Sequence, residues 1–180
     1  MKSKILLGMF ILVVGLVGLY YFLTPHQIIK TRVAVAANFL GPLTKLVKTF
    51  ENHNTAYKIL VQDDSTGKLY TRIKNGEPFD LFLAADTQRP KQLEQESLAV
   101  PGSYFVYAIG TLVLWSNQRD LIDAKGEVLN TDKFKHLAIA PVADAPYGKA
   151  AQQTLEKLGL WQKHWPRIIQ SVGLTHAYQL

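Results

Sequence analysis

Three short stretches carry the residue types that could do chemistry: Ala37-Asn38-Phe39, Asp64-Ser65-Thr66-Gly67 and Ala145-Pro146-Tyr147-Gly148. Each follows a short apolar run and precedes an amphipathic one, so each reads as a turn from a strand into a helix. What they offer is neutral: the Asn38 amide, the Ser65 and Thr66 hydroxyls, and the backbone N–H groups that open a helix. The first N–H groups of a helix have no partner within it, and the helix dipole favours negative charge there. Such donors, gathered at the strand ends of a parallel sheet, can hold a small oxyanion without a formal counter-charge. They select by geometry, because each oxygen must meet a donor at about 2.7–3.2 Å. The ordinary role of Ser, Thr and Asn at a helix start is capping. One turn alone therefore carries little weight, and three of the same kind carry more.

The elements that must position these turns alternate along the chain. Arg32 to Ala37 reads as a buried strand, and Phe39 to Asn52 as a helix with Leu43, Leu46, Val47 and Phe50 on one face. Tyr57 to Val61 reads as a strand, and Thr66 to Asn75 as a helix closed by Gly76. Phe79 to Ala84 reads as a third strand and Arg89 to Glu96 as a short helix. Three such units in a row imply parallel strands joined by right-handed crossovers. After Pro101-Gly102 the character changes. Tyr104 to Trp115 is a long apolar run that could cross from one lobe to another, and Leu121 to Lys133 reads as loop with a short helix. Leu137 to Ala140 is a strand, Lys149 to Leu158 a helix, and Trp161 to Ile169 a second helix broken at Pro166.

The formal charge is +6, but the lysines are scattered and no basic stripe is interleaved with aromatics, which argues against a nucleic-acid partner. Cysteine is absent, which removes disulfides, thiolate nucleophiles and cysteine-ligated metal. The histidines (His26, His53, His136, His164 and His176) have no ligand-like spacing, so no metal site is expected. Asp80 and Asp86 bracket the third strand and are expected to cap or to form ion pairs. Trp115, Trp161 and Trp165 read as packing residues. No hydrolase, P-loop or dinucleotide-binding signature occurs, and no enzyme is expected.

The N-terminus points to export. Lys2 and Lys4 precede Ile5 to Leu23, which contain no charge. A secretory h-region is about 7–15 residues and a spanning helix about 20, so residues 1–25 read as a membrane anchor or a signal peptide. The positive-inside rule then places the remainder outside the cytoplasm, tethered to the inner membrane by residues 5–23 if that segment is an anchor.

Four segments together resemble the periplasmic molybdate-binding proteins of ABC importers, among the periplasmic solute-binding proteins. They are Val33-Ala34-Val35-Ala36-Ala37-Asn38-Phe39, Ser65-Thr66-Gly67-Lys68-Leu69-Tyr70, the stretch from Gly76 to Asp86, and Pro146-Tyr147-Gly148-Lys149-Ala150-Ala151 with Leu158-Gly159-Leu160-Trp161. They follow the same order over residues 31 to about 180. The resemblance implies a two-lobe α/β fold with mainly parallel sheets, residues 26–103 forming the first lobe and 104–180 the second. Because family members continue for several further strands and helices, the second lobe is expected to be incomplete. The ligand implied is molybdate or tungstate, with no cofactor, and the partner an ABC permease of the inner membrane, the binding protein acting as a monomer. By position Asn38 matches a ligand in the first loop and Ser65, or its neighbour Thr66, one in the second. Tyr147 and Leu174 match backbone N–H donors. Asp64 departs from the family pattern, and its carboxylate would repel an oxyanion unless turned outward. The other readings are a receptor for a different oxyanion or an organic acid, and a membrane-tethered remnant with no ligand.

Overall fold

Strand β1 (Ile29–Ala36) pairs in parallel with β2 (Tyr57–Asp64) on one side and with β3 (Leu81–Leu83) on the other. The resulting sheet has the order β2-β1-β3. The computed structural model describes residues 14–15 and 27–180. The expected hydrophobic segment 5–23 lies, but for residues 14 and 15, outside them. No helix among the described residues is long and apolar enough to cross a membrane.

Val33, Ala34, Val35 and Ala36 are all buried, because β1 is the central strand and is covered on both faces. Helix α1 (Leu40–His53), preceded by the 3-10 turn Ala37–Phe39, lays Leu43 on Val33 and Val35, with Phe39, Leu40, Val47, Ile59, Val61 and Leu83 around them. Only part of the expected apolar stripe is inside. Leu46 stays exposed, and Phe50 stacks edge-on against Tyr57 on the surface. Helix α2 (Thr66–Lys74) buries Leu69 completely, and α3 (Gln88–Gln95) buries Leu93. The second strand runs three residues further than its apolar pattern predicts, to Asp64, since main-chain pairing with β1 continues past the last apolar side chain.

The later residues form a two-stranded parallel sheet of β4 (Leu137–Ile139) and β5 (Ile168–Gln170). Around it lie α4 (Pro146–Lys157), α5 (Trp161–His164) and α6 (Leu174–Gln179). Val128, Ile139, Ala140, Ala145 and Leu155 are buried there, with His164 hydrogen-bonded to Leu129 O at 2.7 Å and fully enclosed. The single broken helix expected over Trp161 to Ile169 is corrected. Pro166 sits in a 3-10 turn, Trp165–Arg167, after which the backbone becomes extended and pairs with β4 as β5. Tyr104 to Trp115, with its apolar side chains, forms no helix or strand, and Phe105, Ile109 and Val113 are exposed. Nor are the tryptophans all packed inside: Trp115 and Trp165 are half exposed, stacked on Tyr178 and Trp161 respectively.

Candidate functional site

The register of the first sheet places Ala36 opposite Asp64, so β1 and β2 end at the same level. Their following turns leave the sheet side by side. Facing them, Ala145-Pro146-Tyr147 opens α4 and Leu174 opens α6. Together these segments enclose a cavity of about 20 Å³ lined by Asn38, Ser65, Thr66, Tyr147 and Leu174, with Ala36, Ala37, Ala85, Ala145 and Pro146 as the rest of its wall. The fold thus brings together every residue that the sequence singled out. A single water needs about 10–15 Å³ by this measure, so the space holds little more than one water and opens beside a much wider groove.

The two hydroxyls are not equivalent. Thr66 is fully buried and its Oγ1 accepts the Ala85 N–H at 3.0 Å, tying the start of α2 to the end of β3. Ser65 stands at the N-cap position of α2 (φ −65°, ψ 146°), yet its side chain makes no capping hydrogen bond. Its Oγ is buried and has no hydrogen-bond partner among the described residues. A buried polar group left unsatisfied costs about 1–3 kcal/mol, which a ligand oxygen or a water would recover. Neither the 3-10 turn nor α1 receives a side-chain cap, so the half-buried Asn38 amide is not engaged in capping either. Tyr147 is the second residue of α4, behind Pro146, where a backbone N–H has no acceptor inside the helix. Gly148 lets α4 sit this close: a Cβ there would lie 2.3 Å from Ala140 O.

Among the described residues no Lys, Arg, Asp or Glu contributes to the wall. The Asp64 carboxylate turns to its own neighbours, accepting the Ser65 N–H at 2.7 Å and lying 3.5 Å from Lys68 Nζ. Its charge is therefore partnered rather than aimed at the cavity. Nearby, the Tyr107 hydroxyl donates to Ala84 O at 2.9 Å, and its ring meets Phe39 edge-on at 5.0 Å. Burial, reinforced by Tyr147, pushes the Tyr107 phenol up, so it remains a proton donor at neutral pH. A wider groove of about 960 Å³ shares Asn38 and Tyr147 with the small cavity and runs past Leu81, Phe82, Phe105 and Leu112. It is broad and mostly apolar, and lacks the convergent donors that a small anion requires.

The two acidic residues flanking β3 are structural. Asp80 Oδ2 accepts the Arg32 N–H at 2.7 Å, and Asp86 accepts the Arg89 N–H at 2.9 Å while pairing with its guanidinium. Among the described residues no group of three or more His, Asp and Glu side chains is placed to hold a metal ion. Ala85 and Ala145 lay within the segments that the sequence singled out, but as small residues without a side-chain donor they were given no role in the wall.

Comparison with known proteins decides the family. The model for bacterial extracellular solute-binding proteins matches residues 31–178. The chain belongs to that family. Among its relatives in this solute-binding family, the molybdate-binding protein ModA of Azotobacter vinelandii is 43% identical over 153 residues, covering 85% of this chain and 60% of the relative. ModA of Rhodobacter capsulatus is 42% identical over 146 residues, 81% of this chain and 57% of the relative. The solved periplasmic molybdate-binding protein of Azotobacter vinelandii superposes with a TM-score of 0.79 at 38% identity, over 83% of this chain and 65% of that one. The chain thus spans about three-fifths of the length of the relatives it matches. Its α/β architecture with parallel sheets is that of the solved relative, and the family whose model it matches is one of solute-binding proteins.

Proposed function

We propose that the chain is the substrate-binding component of an ABC importer, holding a tetrahedral oxyanion, molybdate or tungstate, in the cavity between residues 26–103 and residues 104–180 as two lobes. The observation that carries this reading is the buried, unpartnered Ser65 Oγ in the wall of a small cavity without charged side chains. Ser65 Oγ and the Asn38 amide donate from the first lobe, and the Tyr147 and Leu174 N–H groups from the second. Thr66 Oγ1, already an acceptor for Ala85, has its own proton left to give. Closure of the lobes around the ion gives the permease a surface to recognise. The protein works outside the cytoplasm, residues 5–23 serving as export signal or anchor. The names of the relatives, molybdate-binding in Azotobacter and Rhodobacter, support the choice of ion.

Asp64 prompts the second reading, a different oxyanion or an organic acid. Its contacts with Lys68 and the Ser65 N–H partly offset that charge, so the carboxylate does not by itself require a different ligand. Thermal unfolding of the full chain with millimolar molybdate, tungstate and sulfate tests the proposal. Ligand at about 100 times its dissociation constant adds about 2.7 kcal/mol, a rise of several degrees in Tm. Molybdate and tungstate should give that rise and sulfate much less. Equal indifference to all three ions would leave a fold without this ligand.

A further inference from the structure

The two halves also touch directly beside the cavity. Gly67, the second residue of α2, donates its N–H to Asp144 O at 2.9 Å. A Cβ on Gly67 would lie 2.9 Å from that oxygen, 3.0 Å from Asp144 Cα and 3.1 Å from Arg89 Nη2. Arg89 covers the same spot from the other side. Asp86 holds it twice, Oδ2 accepting from Nη1 at 2.5 Å and Oδ1 accepting from the backbone N–H at 2.9 Å. The free arm of the guanidinium, Nη2, donates across to Ala143 O at 3.2 Å. Asp86 and Arg89 flank the start of α3 in the first half, whereas Ala143 and Asp144 lie in the turn between β4 and α4.

Three of these residues adjoin the cavity wall in the chain. Gly67 follows Thr66, Asp86 follows Ala85, and Asp144 precedes Ala145. This contact therefore bears on the separation of the two walls, beside the Tyr107 contacts with Ala84 and Phe39. The Asp86 and Arg89 side chains are only 20% and 22% exposed, so solvent competes weakly for the pair.

We propose that Gly67, together with Arg89 oriented by Asp86, forms a latch that holds the two halves closed over the cavity and so sets affinity without touching the ligand. The latch rests on the proposed closure of two lobes around an oxyanion. If only the closed form binds, the apparent dissociation constant is the intrinsic one divided by the closed fraction. Weakening the latch raises that constant and speeds release while every ligand donor stays in place. Arg89 is in this sense a positioning residue.

The chain has no cysteine, so spin labels at Lys48→Cys and Gln153→Cys, exposed positions on α1 and α4, report the separation of the halves in the full, ligand-free protein. The unsubstituted background should give one narrow distance distribution. Gly67→Ala, which sets a methyl against Asp144, and Arg89→Gln, which loses the charged fork, should both shift it to longer distances. Arg89→Lys should fall between, and as the mildest change it keeps the test decisive if another variant does not fold. Gly67→Ala introduces a better helix former, so α2 itself is not weakened. Molybdate titration should show a dissociation constant raised about tenfold in Arg89→Gln. Unchanged distances in the variants, or a broad distribution in the background, overturn the latch. Failure of the background protein to bind molybdate counts against the oxyanion reading alone, and the distances still decide the latch.

Discussion

The sheet β2-β1-β3 and the stretch from Tyr104 to Trp115 are built from similar apolar residues, yet they end in opposite states. In the sheet, Val33 to Ala36 are sealed by α1 and α2, and Leu69 of the covering helix α2 is fully enclosed. In the stretch, Ile109 is 91% exposed and Val113 75%. The difference is one of partners rather than composition. A strand becomes a core element when neighbours satisfy its main chain and cover its side chains. Val33 to Ala36 have both, whereas Tyr104 to Trp115 belong to no sheet and touch the rest chiefly through residues such as Tyr107. The candidate site draws on the sealed parts of both halves, the ends of β1 and β2 and the start of α4.

Substitution tests that contrast most strongly at the two regions. Leu69→Ala should cost about 2–5 kcal/mol in urea unfolding, as a large core truncation does, while Ile109→Ala should stay within about 0.5 kcal/mol. A large loss at Ile109 would break the comparison. In the second half, Gly148→Ala should cost about 1–3 kcal/mol or more, because its methyl meets the Ala140 and Pro141 carbonyls. A neutral result would mean that α4 is not seated as described.

The two neighbouring hydroxyls sharpen the picture within the site. Thr66→Val leaves the Ala85 N–H without its acceptor and should lose about 1–3 kcal/mol of stability. Ser65→Ala removes an unpartnered hydroxyl, so it should leave stability level or slightly raised while weakening oxyanion binding by about tenfold. Calorimetric titration beside a melt separates the two outcomes.

The smallest effect is that of acid. In the first half Glu51 is held below the usual carboxylate range, mostly by the Ile59 N–H, Glu77 by Arg72 and Glu96 by Lys74. In the second, the Glu127 and Lys125 N–H groups hold Asp123 down and Arg167 holds Asp132 down. Each carboxyl binds its proton less readily in the folded chain than in the unfolded one. Its contribution is therefore present above the ordinary value, 4.5 for Glu and 3.8 for Asp, and is lost as pH falls through the lower folded value. These groups face solvent, so the slope should be gentle and should shrink with added salt. Unfolding midpoints against pH should be flat near neutrality and fall only under acid.

The parts of the molecule legible in the sequence were those where pattern and partner coincide. The alternation of short apolar runs with amphipathic ones located β1, α1, α2 and α4 within a few residues, and the turns into those helices held Asn38, Ser65, Thr66 and Tyr147, whereas Leu174, at the start of α6, was matched by the family resemblance alone. What escaped was set by tertiary contact. Asp63 and Asp64 extend β2 although neither is apolar, because pairing with Val35 and Ala36 is a main-chain matter. Ile168 to Gln170 became a strand only because Leu137 to Ile139 lay alongside. The choice between Ser65 and Thr66 could not be read from two adjacent hydroxyls, since it depends on the Ala85 N–H, nineteen positions away.

Strands β1 and β2 are eight residues each and paired without offset from Ile29 and Tyr57 to Ala36 and Asp64. They behave as matched rulers. Deleting one residue from either would draw its turn back by about 3.3 Å and roll every later side chain to the opposite face of the sheet. Ser65 and Asn38 would then no longer share a cavity, although no residue named in its wall had been replaced. The site should accordingly tolerate many changes of letter in these strands and almost no change of count.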